Sequence, residues 1–427
     1  MVHLLSATAA IKLEVRLAEK QTDLNEGIPL KEFGARREKV LKSLKGSAAI
    51  VFAGEGGAPL IGRWRPNQHF FYLTGIENEP GAAVFFDPTS EDERRRIILF
   101  LRPLNIEVER WDGYRQEIGP ELKSRTGFAT VMRAGAIAGA LTGAGRRGKK
   151  FACLHPFATY PAAVSPDLAA FQQVQQRVPG VSIDDQTNLL PQLRSIKSAS
   201  ELQLMKRAAA ATAAGFNSIL RQIKPGMSER VIADALEFEY RSHGAETLAY
   251  NSIVGSGLNG TVLHYMENNQ PMVDGDLIVI DSGAAFKGYA ADITRTFPAN
   301  GKFTSEQRDI YEVVLRAQMA GIKAVKTGNK MSDVDTAARE VIEKAGLGHA
   351  FIHNIGHQLG LEVHDVTPDG ALKPGMVVTI EPGVYLPDRK LGVRIEDDIL
   401  VTGSGNQNLT AAVPKTVKDV EAAMAFS

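Results

Sequence analysis

The second half of the chain repeats itself at a spacing of 100 residues, and no other feature restricts the possible folds as strongly. Asp274-Gly275-Asp276-Leu277-Ile278-Val279-Ile280-Asp281-Ser282-Gly283 lies over Pro374-Gly375-Met376-Val377-Val378-Thr379-Ile380-Glu381-Pro382-Gly383. Each copy reads as a glycine turn, an apolar run closed by an acid, and a second glycine turn. The same offset carries His264 onto His364. Upstream, apolar periodicity predicts a helix pair over 201–237, broken at Lys224-Pro225-Gly226-Met227-Ser228. A matching pair spans 306–340, broken at 326–332. Solenoids need about three or more units to bury their faces. Two units predict instead a pseudo-two-fold domain, with two acid-bearing sheets facing one central site.

An aspartate closing an apolar strand such as 277–280 carries a desolvation cost unless its charge is compensated. The chain returns through Gly288-Tyr289-Ala290-Ala291-Asp292-Ile293-Thr294-Arg295. A hairpin would set Asp292 beside Asp281, where like charges disfavour joint ionisation. A cation between the two resolves both problems. Taken alone, this stretch reads equally as a surface hairpin with two turn aspartates. The second copy decides the matter, because it supplies Glu381 and, after Leu391-Gly392-Val393-Arg394-Ile395, Glu396. Four carboxylates on four strand positions then converge.

With 427 residues, two domains are expected. We expect an extension over 1–30, an α/β domain over 31–188 and an α+β catalytic domain over 189–427. An apolar content of 44%, with 23% charged residues, is that of a globular protein. The 49 basic and 49 acidic residues cancel, leaving no electrostatic footprint for nucleic acid or an anionic membrane. No run is long and apolar enough to span a bilayer. Lys12, Glu14, Arg16 and Glu19 interrupt the N-terminus where a signal peptide needs an apolar core, so an amphipathic or loose extension and a cytoplasmic protein are expected. Cys153 has no disulfide partner and reads as a buried thiol.

In the first half we expect a helix over 33–44 and strands over 48–53, 82–86, 97–101 and 150–154. Residues 65–75 read as an aromatic strand closed by a glycine turn. Gly143-Ala144-Gly145-Arg146-Arg147-Gly148 matches the glycine pattern of dinucleotide sites, but a helical segment precedes it and a strand follows. That is the reverse of the strand–turn–helix order such sites need, so a flexible loop is expected. His69 and His155 read as packing or hydrogen-bonding residues. Alternating strands and helices give an α/β domain. The domain boundary falls within 182–193, and Ser198 with Glu201 marks the next helix start.

His353, His357 and His364 fall within twelve residues, beside glycines that argue against a regular helix. Asp281, Asp292, His357, Glu381 and Glu396 form the candidate ligand set. Four carboxylates and one imidazole suit manganese, cobalt, zinc or iron. Four negative charges match two divalent ions, with Asp292 and Glu396 bridging. Such a pair activates a shared water and favours hydrolysis of an acyl bond. A phosphatase is disfavoured, since no phosphate cradle accompanies the ligands. Arg394 is expected to share a strand face with Glu396 and to orient a ligating carboxylate. His264 and His364 are placed to donate to a substrate carbonyl and its oxyanion.

This ordered set resembles the pita-bread metallopeptidases, which include methionine aminopeptidase, aminopeptidase P and prolidase. The frames Asp281-Ser282-Gly283, Glu381-Pro382-Gly383-Val384-Tyr385 and Arg394-Ile395-Glu396-Asp397-Asp398 carry the likeness. Arg65-Pro66-Asn67-Gln68-His69-Phe70-Phe71-Tyr72-Leu73-Thr74-Gly75 resembles the N-terminal domain of the proline-specific members. The resemblance implies a pita-bread catalytic domain that removes an N-terminal residue preceding proline, and an Xaa-Pro dipeptidase is the neighbouring alternative. It also implies that Glu381 handles the proton of the bridging water, that His264, His353 and His364 contact substrate, and that Arg394 supports a ligand. Manganese and a homodimer or homotetramer are the family's habits. Asn354 departs from the glycine found in many relatives. A non-catalytic protein on this fold should lack a ligand, and here all five are present.

Overall fold

The computed structural model describes residues 27–56 and 64–425, apart from the side chain of residue 112. Of the extension expected over 1–30, residues 1–26 lie outside the described residues. The first half begins with helix α1 (Leu30–Ser43), strand β1 (Ala49–Phe52) and helix α2 (Gln68–Thr74). Strands β2 (Ala83–Phe86), β3 (Ile97–Leu101) and β4 (Thr130–Arg133) complete a sheet in the order β1-β2-β3-β4, antiparallel until the parallel last pair. Helices α3 (Ile106–Asp112) and α4 (Pro120–Thr126) cross from β3 to β4. Helix α5 (Ile137–Gly148) leads into β5 (Lys150–Cys153), and α6 (Pro166–Gln175) connects β5 to its parallel partner β6 (Ser182–Asp185). A bridge from Ala48 to Phe151 joins this pair to β1. Phe85, Phe100, Phe151 and Phe171 fill one face, with Phe151 and Phe171 stacked at 4.4 Å. Cys153 is buried and free, and burial pushes its thiol up to about 12.

Two expectations fail here for identifiable reasons. Residues 68–74 form a helix, not an aromatic strand. The Asn67 side chain accepts the N–H groups of His69 and Phe70, and Gly75 closes the helix at φ 67°. Every helical residue from His69 to Thr74 is buried, so the apolar run had no exposed face to reveal its period. Arg36 and Arg37 of α1 donate to the carbonyls of Tyr72 and Leu73 at 2.9 and 2.8 Å, satisfying two acceptors at the helix end. Glycines 143, 145 and 148 lie within α5 rather than in a loop. Gly145 packs beside Val174 and Phe151, where a Cβ would collide.

After α7 (Leu189–Ser195), the repeat unfolds as expected. Helices α8 (Ala199–Ile219) and α9 (Glu229–Ser242) precede β7 (Thr247–Leu248), β8 (Ile253–Ser256), β9 (Leu277–Ser282), β10 (Ala284–Phe286), β11 (Tyr289–Ala290) and β12 (Ile293–Pro298). Helices α10 (Ser305–Ala324) and α11 (Met331–Lys344) precede β13 (Val377–Ile380), β14 (Gly383–Leu386), β15 (Leu391–Arg394), β16 (Asp397–Thr402) and β17 (Gly405–Asn408), and α12 (Val417–Met424) follows. Ser198 and Glu201 form the expected capping box on α8; Thr304 and Gln307 form its counterpart on α10. The sheets β8-β9-β12 and β13-β16-β17 are the two acid-bearing layers. They meet where the Glu396 N–H donates to the Thr294 carbonyl at 3.0 Å. The helix pairs cover the outside around a core that includes Phe216, Phe297, Tyr311 and Ile380. No helix among the described residues is long and apolar enough to cross a membrane.

Candidate metal centre

The acids sit where the strands stop. Asp281 is the penultimate residue of β9, Glu381 follows β13, and Asp292 and Glu396 precede β12 and β16. Only Asp281 therefore lies within a strand, which corrects the expectation of four strand positions. Strand ends release the backbone from the ladder, so side chains from two sheets can turn toward one point. Their N–H groups are still held: Glu381 donates to the Ile355 carbonyl at 2.8 Å and Asp292 to Asp398 Oδ2 at 3.2 Å.

Asp281, Asp292, His357, Glu381, Glu396, His264, His353, His364 and Arg394 all line one cleft of about 470 Å³. Asp292, His357 and Glu396 present ligand atoms within 4.8 Å of one another. His357 Nε2 stands 3.6 Å from Asp292 Oδ2 and 3.4 Å from Glu381 Oε1. Asp281 joins the group through Tyr250, whose hydroxyl touches Oδ1 of both Asp281 and Asp292.

Several features of this arrangement fit a bound cation. His357 Nδ1 faces the Gln358 carbonyl at 3.0 Å, so that nitrogen carries the proton. Nε2 is then a lone pair aimed at two carboxylates, and burial, helped by His364, lowers the imidazole to about 4. Protonation therefore does not reconcile the contact near neutral pH; a metal ion would. Glu396 Oε1 is buried with no hydrogen-bond partner among the described residues. Tyr250 has one proton for two carboxylates. Burial, then Asp281 and Asp398, push Asp292 well up; burial, then Asp292 and Glu381, do the same to Glu396. Glu381 is raised to about 7 by burial, against the pull of Arg394. The protein's own groups thus leave the charges under-compensated, and divalent ions on these oxygens would balance them.

Arg394 occupies a different place from the one its spacing implied. Strand β15 ends at Arg394, so the period of two does not run on to Glu396. The guanidinium crosses to the other half instead, where Nη2 donates to Asp281 Oδ2 at 2.6 Å. It reaches Glu396 only through Thr294, whose hydroxyl receives Arg394 Nε at 3.2 Å and donates to Glu396 Oε2 at 2.6 Å. Its Nη1 donates to the Tyr385 hydroxyl at 3.0 Å, and that hydroxyl lies 2.9 Å from His353 Nε2. Because His353 Nδ1 faces the Asn354 carbonyl, Tyr385 is the donor to Nε2. His264 and His364 are exposed at the mouth, and His364 stacks on His357 at 3.9 Å.

Sequence reasoning missed Tyr250, the role of Thr294 and the pairing of Tyr385. Thr294 and Tyr385 lie inside the acid-bearing segments and could have been found by asking what satisfies each acid. Tyr250 sits in a short connection with no periodic or spacing signal.

The pattern of metallopeptidase family M24 matches residues 203–403, and that of the aminopeptidase P N-terminal domain matches residues 33–150. The chain is 35% identical to the Xaa-Pro aminopeptidase of Haemophilus influenzae and 34% identical to that of Escherichia coli. Each alignment covers 93% of this chain and 98% of the relative. The solved structure of zinc-substituted E. coli aminopeptidase P with product matches at a TM-score of 0.83 and 31% identity, over 93% of this chain and 98% of that one. The likeness runs through both the N-terminal sheet and the repeat-built half that holds the acids, so the chain belongs to metallopeptidase family M24, in its aminopeptidase P branch.

Proposed function

We propose that this chain is a metal-dependent Xaa-Pro aminopeptidase, hydrolysing the bond between an N-terminal residue and a following proline. The observation that carries the reading is the convergence of Asp281, Asp292, His357, Glu381 and Glu396 on one cleft, in a chain that aligns with Xaa-Pro aminopeptidases over nearly their whole length. In this reading Asp281, Asp292, His357, Glu381 and Glu396 would hold two divalent ions, with Asp292 and Glu396 available to both. When bound, the ions supply Lewis acidity toward the scissile carbonyl and an activated water. Glu381, partly buried at the cleft floor, takes and returns the proton. Arg394 fixes the Asp281 carboxylate, and through Thr294 steadies Glu396. His264 and His364 at the mouth, with His353 anchored by Tyr385, orient the peptide. A prolyl nitrogen has no N–H, so the pocket needs shape rather than an acceptor beside it.

Manganese is our proposed resident ion, supported by four hard carboxylate donors and a single imidazole. A homodimer or homotetramer is proposed on the family's habit, and light scattering after size exclusion tests it. We place the domain junction after residue 188, beyond the last strand of the N-terminal sheet.

The deciding experiment compares Xaa-Pro-Yaa and Xaa-Pro peptides with manganese, cobalt and zinc, before and after chelation. Turnover of the tripeptides that chelation abolishes and metal restores is expected; turnover of dipeptides alone would overturn the reading. Asp292→Asn and Glu396→Gln should each cut kcat by about a thousandfold or more while circular dichroism stays native. Near-normal turnover in either variant would refute the shared-ligand assignment.

A further inference from the structure

A buried ionic cluster beside the cleft takes no part in holding metal. Arg194, in α7, and Lys197 have side chains only 2% and 1% exposed. Arg194 Nη2 donates to Asp365 Oδ1 at 2.5 Å and to Glu362 Oε2 at 2.7 Å; Nη1 donates to His69 Nδ1 at 3.1 Å. Lys197 Nζ lies 3.4 Å from Asp365 Oδ2. Burying such charges is weak support for stability by itself, because desolvation offsets much of the attraction. The position of the cluster needs another reason.

That reason lies in the segment between two active-site histidines. Asp365 follows His364, and its N–H donates to the carbonyl of Gln358, the residue after His357, at 2.9 Å. Closing the 358–365 loop in this way sets the two imidazoles face to face, with centroids 3.9 Å apart and planes inclined by 17°. Among the described residues the His364 ring has no hydrogen bond of its own, so the loop decides where it points. Gly360 lets the Asp365 carboxylate enter: a Cβ there would collide with it and lie 3.0 Å from Lys197 Cε. The loop is pinned from outside as well, since the Ala290 N–H donates to the Gly360 carbonyl at 2.8 Å.

We infer that Arg194 is a positioning residue for His364. Its guanidinium clamps Asp365 and Glu362, fixes the 358–365 loop, and ties that loop to α2 of the N-terminal sheet through His69. The inference rests on the aminopeptidase reading insofar as His364 faces the peptide.

The test uses the zinc-loaded full chain with ¹³C-labelled histidine, His364 being assigned by His364→Gln. Arg194→Met and Asp365→Asn should shift the ring signals of His357 and His364 and leave those of His243 and His349 in place, with zinc content unchanged. Turnover of an Xaa-Pro-Yaa peptide should fall about tenfold or more through kcat. In a His364→Ala background the same Arg194→Met change should matter by less than about twofold. Arg194→Lys, which keeps a cation on Asp365 but loses the fork, should fall between. Should Arg194→Met not fold, Asp365→Asn and Arg194→Lys carry both readouts. Unmoved ring signals, or an equal loss in both backgrounds, would overturn the inference. A wild-type chain inert on Xaa-Pro-Yaa peptides defeats the aminopeptidase reading instead, and the ring signals still decide the positioning.

Discussion

A single methyl group at Gly283 would probe how closely the first pair of acids must approach. Gly283 follows β9, and a Cβ there would run into the carbonyl of Ala291 and meet the Tyr250 ring at 3.2 Å. Ala291 precedes Asp292, so relief of that clash has to move Asp292 or Tyr250 away from Asp281. Overpacking of this kind costs about 1–3 kcal/mol. Gly283→Ala should therefore fold with a lowered melting temperature and hold metal about tenfold or more weakly; calorimetric titration with manganese measures it, and an unchanged affinity would remove the close-approach argument. At this scale the residues that converge on the cleft were legible because each acid interrupts an apolar run and the repeat shows the interruption twice. Tyr250 was not, since one phenol in a short connection has neither period nor partner in sequence. Arg394 was half legible: its contact with one of the acids was readable, but which carboxylate it meets depends on the interruption between strands at 395–396, which alternation cannot show.

Among the elements, the two acid-bearing sheets are related by the repeat but joined by residues that break it. Arg295 of β12 is fully buried; its Nη1 donates to the carbonyls of Thr294 and Glu396 at 2.9 and 2.5 Å. Nη2 donates to Asp397 Oδ1 at 2.8 Å and to the Val413 carbonyl at 3.2 Å, and Nε to the Pro414 carbonyl at 3.1 Å. Burial alone would raise the Asp397 carboxyl, yet Arg295 and Lys415 prevail and hold it down to about 2. Arg295 thus ties β12 to the start of β16, next to Asp292 and Glu396. Arg295→Met removes one of the two cations on Asp397, leaving Lys415, and takes the donor from several buried carbonyls, a loss of about 3–5 kcal/mol. Urea denaturation of the metal-free chain should show that loss, and a midpoint equal to the parent's would contradict it. Element type was readable wherever one face meets water, as in α8 to α11. It failed at 68–74 because burial on every side erases periodicity, and at 143–148 because glycine's low helix propensity was overridden by close packing on Val174 and Phe151.

The whole molecule is held together by charges that composition counts only in sum. Zero net charge carried no footprint of a basic binding face, and it gave no hint that the cations and acids pair across the junction of the two halves. Arg36 of α1 lies 3.2 Å from Glu201 of α8, Ser198 donates to Glu32 at 2.6 Å, and Arg65 donates to Thr247 at 2.7 Å. Such pairs join residues far apart in the chain, so no local pattern announces them. His69 is a titratable member of this junction. Burial, then the nearby Arg194 and His155, lower its imidazole from 6.5 to about 3, and its Nδ1 must stay unprotonated to accept from Arg194. The folded state therefore binds this proton less well than the unfolded chain. Stability from the neutral ring is complete above about pH 6.5 and is lost as pH falls toward about 3. Between about pH 6.5 and pH 5 that amounts to about 2 kcal/mol. His353 and His357 are lowered to about 4 and add slope of the same sign, so the informative quantity is a difference. His69→Asn keeps an acceptor for Arg194 but cannot titrate. Urea midpoints of parent and His69→Asn should therefore converge as the pH is lowered from about 7.5 to about 5, the variant losing less stability. Parallel losses in the two proteins would mean that His69 takes up its proton without disturbing the junction.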